Sequence, residues 1–198
     1  MLQTTERKRE ILSTSQRLFK EKGYASTSVR DIAKALEIEP ASLYSHIKTK
    51  EDILKITCFE MADKFALAIK EVNDIYFNAE ERLKMAIEMH VQILTSNLDA
   101  AVVFIRDWRN LGKETKQEFI AKRNAYEEGI RKIIREGIDE GNFQETDIKI
   151  AALTILSSVN WIVEWYSPDG SLNAKSLAEK LCSFILTGLK AGKATQHF

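Results

Sequence analysis

Between Thr27 and Glu51 the chain has room for two short helices and a connection of only a few residues. Val29, Ile32, Ala33 and Leu36 fall at helical spacing and give the first helix one apolar face. Thr27 or Ser28 is placed to cap it, with Asp31 near the positive end of its dipole. Glu37 and Ile38 then form the connection. If Glu37 must turn left-handed there, it costs about 1 kcal/mol relative to glycine. Pro40 fits the first position of a second helix, where a missing N–H is harmless. Leu43 and Ile47 lie i,i+4 on its buried side. Ala41, Ser42, Tyr44, Ser45 and His46 are left facing outward. Small residues let such a helix approach base edges, and hydroxyl and imidazole groups reach phosphates and bases.

Two prolines, eight glycines and pervasive helical periodicity predict an all-α chain of about nine helices. The first runs over 4–22, and the fourth from Lys50 to about Asn73. Five more are expected near 79–96, 99–109, 113–140, 145–167 and 173–190. Gly112 and Gly141-Asn142 supply breaks, and Ser167-Pro168-Asp169-Gly170 reads as a turn. The expected division is a three-helix DNA-binding domain over 1–49 and a helical body over 50–198.

Charge agrees with that division. The whole is neutral, but residues 1–50 hold ten Lys/Arg against six Asp/Glu, leaving the remainder acidic. Screening confines electrostatic attraction to about 10 Å, so the local excess is what a phosphate backbone meets. Glu37 and Glu39 sit beside the outward face and oppose indiscriminate attraction. No stretch reads as a membrane span and the N-terminus lacks a signal-peptide run, so the expected location is cytoplasmic and no membrane partner is expected. Cys58 and Cys182 sit in apolar helical patterns and read as buried reduced thiols.

Chemistry of the catalytic kind finds no support. There is no Gly-x-Ser-x-Gly elbow and no Glu-x-x-His pair. Gly188 to Lys193 is one residue short of a phosphate loop and follows a helix. His46, His90 and His197 are too scattered for a metal cluster. No enzyme activity, catalytic residue, metal or cofactor is expected. His90, near Met85, Met89 and Ile93, reads as a core residue or a pocket polar group.

Leu43-Tyr44-Ser45-His46-Ile47-Lys48-Thr49-Lys50-Glu51 resembles the end of the reading helix in TetR-type transcriptional regulators, whose pattern is L-Y-x-H/Y-F-x-x-K-E. Thr27 through Ala33 resembles the family's T-S/T-V-R-D-I-A start, and Leu18-Phe19 with Gly23-Tyr24 its first helix. The chain departs at Glu37, where the family has glycine, and at Ile47, where it has an aromatic residue. The resemblance implies a helix-turn-helix that grips duplex DNA. Thr27, Ser28, Arg30, Ala41, Ser42, Tyr44, Ser45, His46, Lys48 and Lys50 are its expected contacts. Two apolar stripes, carrying Leu153 and Leu156 on one helix and Leu181 and Ile185 on another, are expected to pair with their copies in a homodimer. Two readers about 34 Å apart would then meet successive turns of a pseudo-palindromic operator.

For the body, Met89, Ile93, Trp108, Tyr126, Trp161 and Trp165 are the candidates for an apolar effector pocket. Phe104 to Arg109, Glu136-Gly137-Ile138 with Gly141 and Phe143, and Asn160-Trp161 with Trp165-Tyr166 resemble the branch answering to acyl-coenzyme A thioesters. That implies an acyl chain in the cavity, with Arg106, Arg109 or Arg123 meeting the phosphates. The expected function is a ligand-released dimeric repressor. The alternatives are an effector-independent architectural or division-control DNA binder of the same fold, and a helical-bundle enzyme.

Overall fold

The structure, a computed structural model, describes residues 2–190, with side chains from residue 6. His197 and the Lys193 end of the loop-like stretch lie outside the described residues. The helices are α1 (Leu2–Lys22), α2 (Val29–Ala35), α3 (Pro40–Tyr44), α4 (Lys50–Asp74) and α5 (Ala79–Ser96). They continue with α6 (Leu98–Arg106), α7 (Lys113–Asp139), α8 (Ile148–Asn160), α9 (Ile162–Trp165) and α10 (Ala174–Leu189). Among the described residues there is no strand, only an isolated bridge between Phe143 and Lys190.

Two expected helices end differently. The one expected over 99–109 stops at Arg106, and Asp107–Asn110 tightens into a 3-10 turn. The one expected over 145–167 breaks at Trp161 into α8 and α9. Tyr166 then turns extended, two residues before Pro168. One expectation needs correcting. Ile148–Trp165 does have the length and mean hydropathy of a membrane span, 1.3 over 18 residues. The break at Trp161 divides it, and only 28% of it is buried.

The chain forms two compact units and passes between them three times: within α4 at 63–64, at 96–97, and within α7 at 121–122. The first unit holds residues 1–63 and 97–121. Its core seats Ile11, Phe19, Ile32, Leu43, Ile53 and Leu54 at no more than 1% exposure. Helix α6 packs along α1, and an aromatic cluster gathers on Phe119. Phe59, Phe104 and Trp108 lie 6.1, 5.5 and 5.8 Å from that ring, centroid to centroid.

The second unit holds residues 64–96 and 122 onward, with α5 packed on α8, α9 and α10. Helices α8 and α10 are each capped at their start by a side chain. Asp147 accepts from Ile150 N–H at 3.0 Å, and Asn173 from Ser176 N–H at 2.9 Å. Arg82, buried on α5, pairs with Glu136 Oε2 at 2.6 Å and fastens α5 to α7. Cys58 and Cys182 are buried free thiols, and burial pushes each pKa up to about 12.

Candidate nucleic-acid interface and effector site

The reader begins with a capping box. Ser28 Oγ accepts from Asp31 N–H at 3.1 Å, and Ser28 N–H donates to Asp31 Oδ2 at 2.8 Å. The Ser28 hydroxyl also donates to Asp31 Oδ2, and it and the Ser28 N–H together hold the Asp31 carboxyl below the usual carboxylate range. Helix α2 ends as the sequence requires: Ile38 N–H returns to Ala33 O at 3.0 Å, with Glu37 left-handed at φ 55°. Pro40 opens α3, while Leu43 and Ile47, at 1% and 5% exposure, anchor it to the core.

What remains outside is a compact polar edge. Ala41, Ser42, Ser45 and Lys48 are exposed, and Tyr44 is 53% exposed. Arg30 is exposed on α2, and His46 is half-buried. Ser45 Oγ already donates to Ser42 O at 2.7 Å, leaving its lone pairs as acceptors.

Two expected contacts are spent inside the head. Thr27 is 1% exposed, and its hydroxyl donates to Gly23 O at 2.9 Å. Lys50 Nζ donates to Tyr24 O at 2.8 Å and Thr27 O at 2.9 Å, and lies 4.2 Å from the centre of the Tyr24 ring. Both side chains therefore hold the α1–α2 connection, and an ammonium with two carbonyls and a ring face has little left for a phosphate. The N-terminus of α4 is occupied likewise. Thr49 and Asp52 form a reciprocal cap, each backbone N–H bonded to the other's side chain at 2.9 and 3.0 Å.

Of the six effector candidates, Trp108 falls in the first unit and the other five in the second. Met89 and Ile93 line an open groove of about 450 Å³ between α5 and α10, with Ala174 and Ala178 opposite and Glu88, Gln92 and Lys175 around them. Trp108 lies in the first unit against Phe119, with Arg109 4.7 Å over its ring. Trp161 and Trp165 are 64% and 51% exposed. Tyr126 is half-buried, and burial drives its hydroxyl pKa far above its ordinary value. The expected dimer residues all belong to the second unit: Leu153 is exposed, and Leu156, Leu181 and Ile185 are half-buried.

Sequence reasoning missed the partners of His90. Its Nδ1 lies 2.9 Å from Tyr126 Oη, and its Nε2 3.1 Å from Asn160 Oδ1. The amide oxygen only accepts, so Nε2 carries the proton and Tyr126 donates to Nδ1. The Phe65 ring centre is 4.5 Å away. The signal was present as polar residues on apolar stripes, but nothing in the spacing joins residues 36 and 70 positions from His90. Burial pushes its pKa down to about 4. A depressed histidine favours folding above its unfolded pKa of about 6.5, and that stability drains as pH falls toward 4. Going from pH 7 to pH 5 is expected to cost about 2 kcal/mol through His90. Urea unfolding of wild type and His90→Gln at both pH values checks this: the pH-dependent loss should shrink in the variant. An equal loss in both would clear His90.

Comparison with known proteins agrees with this geometry. Residues 11–55 match the family described as bacterial regulatory proteins, tetR family, and residues 77–189 match the tetracyclin repressor-like C-terminal domain. The chain is 33% identical to PfmR, a TetR family transcriptional regulator from Thermus thermophilus, over 91% of this chain and 99% of that one, with a TM-score of 0.83. It is 25% identical to the HTH-type transcriptional repressor KstR2 of Mycobacterium tuberculosis, covering 94% of each chain. AibR, solved with isovaleryl coenzyme A and operator DNA, is 27% identical over 93% of this chain and 98% of its own, with a TM-score of 0.79. With a capped reader, a buried Leu43–Ile47 anchor and two family domains in order along it, the chain belongs to the tetR family of bacterial regulatory proteins.

Proposed function

We propose that this chain is a cytoplasmic, dimeric transcriptional repressor that binds a pseudo-palindromic operator and leaves it when an apolar ligand occupies the body. The observation that carries the reading is the outward edge of α3. It is polar and small-residue, and it is backed by a helix whose apolar side is fully spent on the core. Ala41, Ser42 and Ser45 approach bases; Tyr44, His46, Lys48 and Arg30 meet phosphates, and Ser28 lies exposed beside them at the start of α2. Thr27 and Lys50 act behind them by fixing the connection. Residues 1–49 carry the DNA contacts, and the remainder serves ligand binding and dimerisation. It acts as a regulator, not an enzyme.

KstR2's name as a repressor and AibR's complex with operator DNA support the direction of control. The effector class is an acyl-coenzyme A thioester, supported by AibR's isovaleryl coenzyme A. The groove floored by Met89, Ile93, Ala174 and Ala178 offers apolar walls for an acyl chain, with Lys175 at hand for an anionic group. The exposure of Trp161 and Trp165 favours a second reading, a DNA binder of the same fold that answers to no effector.

Selection of duplexes from a randomised pool, followed by titration of the winners, tests the reader. Tyr44→Ala and Lys48→Ala are each expected to weaken binding about tenfold, and Lys48→Ala to reduce the slope of log affinity against log salt by about 1.8, one phosphate contact being lost from each protomer. Unchanged affinity and slope in both would overturn the assignment. Addition of isovaleryl-coenzyme A then separates the two readings: release supports the thioester, and undisturbed binding across a chain-length series supports the effector-independent protein.

A further inference from the structure

Leu43 and Ile47 set the inward side of the reader, at 1% and 5% exposure. At about 100° per residue, Ser45 stands about 160° from each of them, on the line most distant from the core. Its backbone is still helical there, at φ −67° and ψ −20°. Ala41, one turn earlier, shares that line, and both residues are exposed. Side chains this small let the helix backbone come close to base edges.

The Ser45 hydroxyl has already spent its proton. Oγ donates to Ser42 O at 2.7 Å, whereas the Ser45 N–H reaches the same carbonyl at 3.3 Å. The next donor along, His46 N–H, goes to Leu43 O at 3.0 Å. Ser42 O is thus one of the end carbonyls that a five-residue helix leaves poorly satisfied, and the hydroxyl supplies its shorter bond. Turning that proton outward would leave the carbonyl with the long bond alone. What faces away from the helix is therefore oxygen lone pairs. The Ser42 hydroxyl has no such tie among the described residues and can donate or accept.

In the major groove the acceptors are purine N7, guanine O6 and thymine O4, and the donors are the exocyclic amines of adenine and cytosine. A lone pair repels the first set and accepts from the second. Every base pair carries one such amine, so an acceptor reads which strand holds it. We propose that Ser45 is a specificity-determining residue that accepts from an exocyclic amine, on adenine or cytosine, in the strand it faces. This rests on the DNA-reading function proposed above and names what one position of the reader recognises.

The test uses the full chain and the duplex that wild type selects from a randomised pool. Ser45→Ala should lose the preference at one base pair of each half-site and keep those at the other positions. It should leave the salt slope at the wild-type value, since no phosphate contact goes. Removing only the amine at that pair, with purine in place of adenine or pyrimidin-2-one in place of cytosine, should weaken wild type about fivefold per half-site. The analogue that has this effect tells adenine from cytosine. Ser45→Ala should bind the analogue and the parent duplex alike, which separates the lost contact from any weakening of the pair itself. Ser45→Thr keeps the hydroxyl and its tie to the backbone, and should retain the preference. A 7-deazapurine at the same pair removes an acceptor, and should affect wild type and Ser45→Ala equally.

An amine-free duplex that wild type binds as tightly as the parent would overturn the proposal. So would a Ser45→Ala chain that weakens on every duplex with its preferences intact, because the tie would then serve only to hold α3 together. A 7-deaza effect confined to wild type would show the hydroxyl donating, and would overturn it as well. If wild type selects no duplex at all, the DNA-reading function falls and this proposal with it; a selected duplex indifferent to the amine strikes the proposal alone.

Discussion

Phe184→Glu is expected to yield a monomer, and to weaken binding to a duplex with two half-sites by more than about a hundredfold. Phe184 is 81% exposed on α10, between the half-buried Leu181 and Ile185 at i−3 and i+1. Along α8 and α9 and the break between them, Ile150, Leu153, Trp161 and Trp165 are exposed as well. A single exposed apolar residue is ordinary, but several exposed large apolar residues on the helices of one unit mark an interface. That so little of Ile148–Trp165 is buried within one chain is the same observation made from hydropathy. In a two-fold interface every residue is lost twice. Truncating one buried aromatic anchor costs about 2 kcal/mol, and a charge left unpaired costs more. Sedimentation at micromolar concentration reads the association. Leu67→Glu, also on an exposed apolar residue but on α4, should leave it intact. A Phe184→Glu chain that still sediments as a dimer, or a wild type that never forms one, would remove this surface from the account.

The reader was legible because it is coded locally. A cap at Ser28, a left-handed residue at Glu37 and a helix start at Pro40 each depend on neighbours within four residues. Helix bounds in the body were legible for the same reason: 113–140 was expected and Lys113–Asp139 is found. Periodicity states which face of a helix is apolar, but not what that face meets. Trp161 and Trp165 therefore looked like pocket walls, and the fold turns both toward the surface. Lys50 looked like a phosphate ligand from its place at a helix start, yet its partners at 24 and 27 are fixed only by tertiary packing. The membership of 97–121 in the reading unit is likewise a fact of packing, invisible to any windowed pattern.

Gly137→Ala is expected to destabilise the chain by about 3 kcal/mol, although alanine is the better helix former by about 1 kcal/mol. Gly137 sits inside α7, four residues before the left-handed Gly141 at φ 74°. Its carbonyl accepts from both Asn142 and Phe143 N–H at 2.9 Å, which folds the chain back over it. The Phe143 ring, 3% exposed, then lies where a methyl would stand. A Cβ on Gly137 would meet Phe143 Cδ2 at 2.2 Å and Cε2 at 2.4 Å. Burial leaves the ring little room to swing clear, and its backbone is held in place because Gln144 N–H is bonded to Leu189 O at 2.9 Å and the Gln144 amide to Gly188 O at 3.0 Å. The segment that resembles the thioester-responsive branch here is thus a helix stop, joined by main-chain bonds to the end of α10. Its part in any ligand response would come through holding α7 and α10 in register. Thermal unfolding should show a fall of about 6–12 °C for a chain of this size. The mechanism is isolated by a double-mutant cycle with Phe143→Leu, whose smaller side chain has somewhere to go. If the ring is the obstacle, the two losses combine to much less than their sum. Strict additivity would place the strain elsewhere in α7.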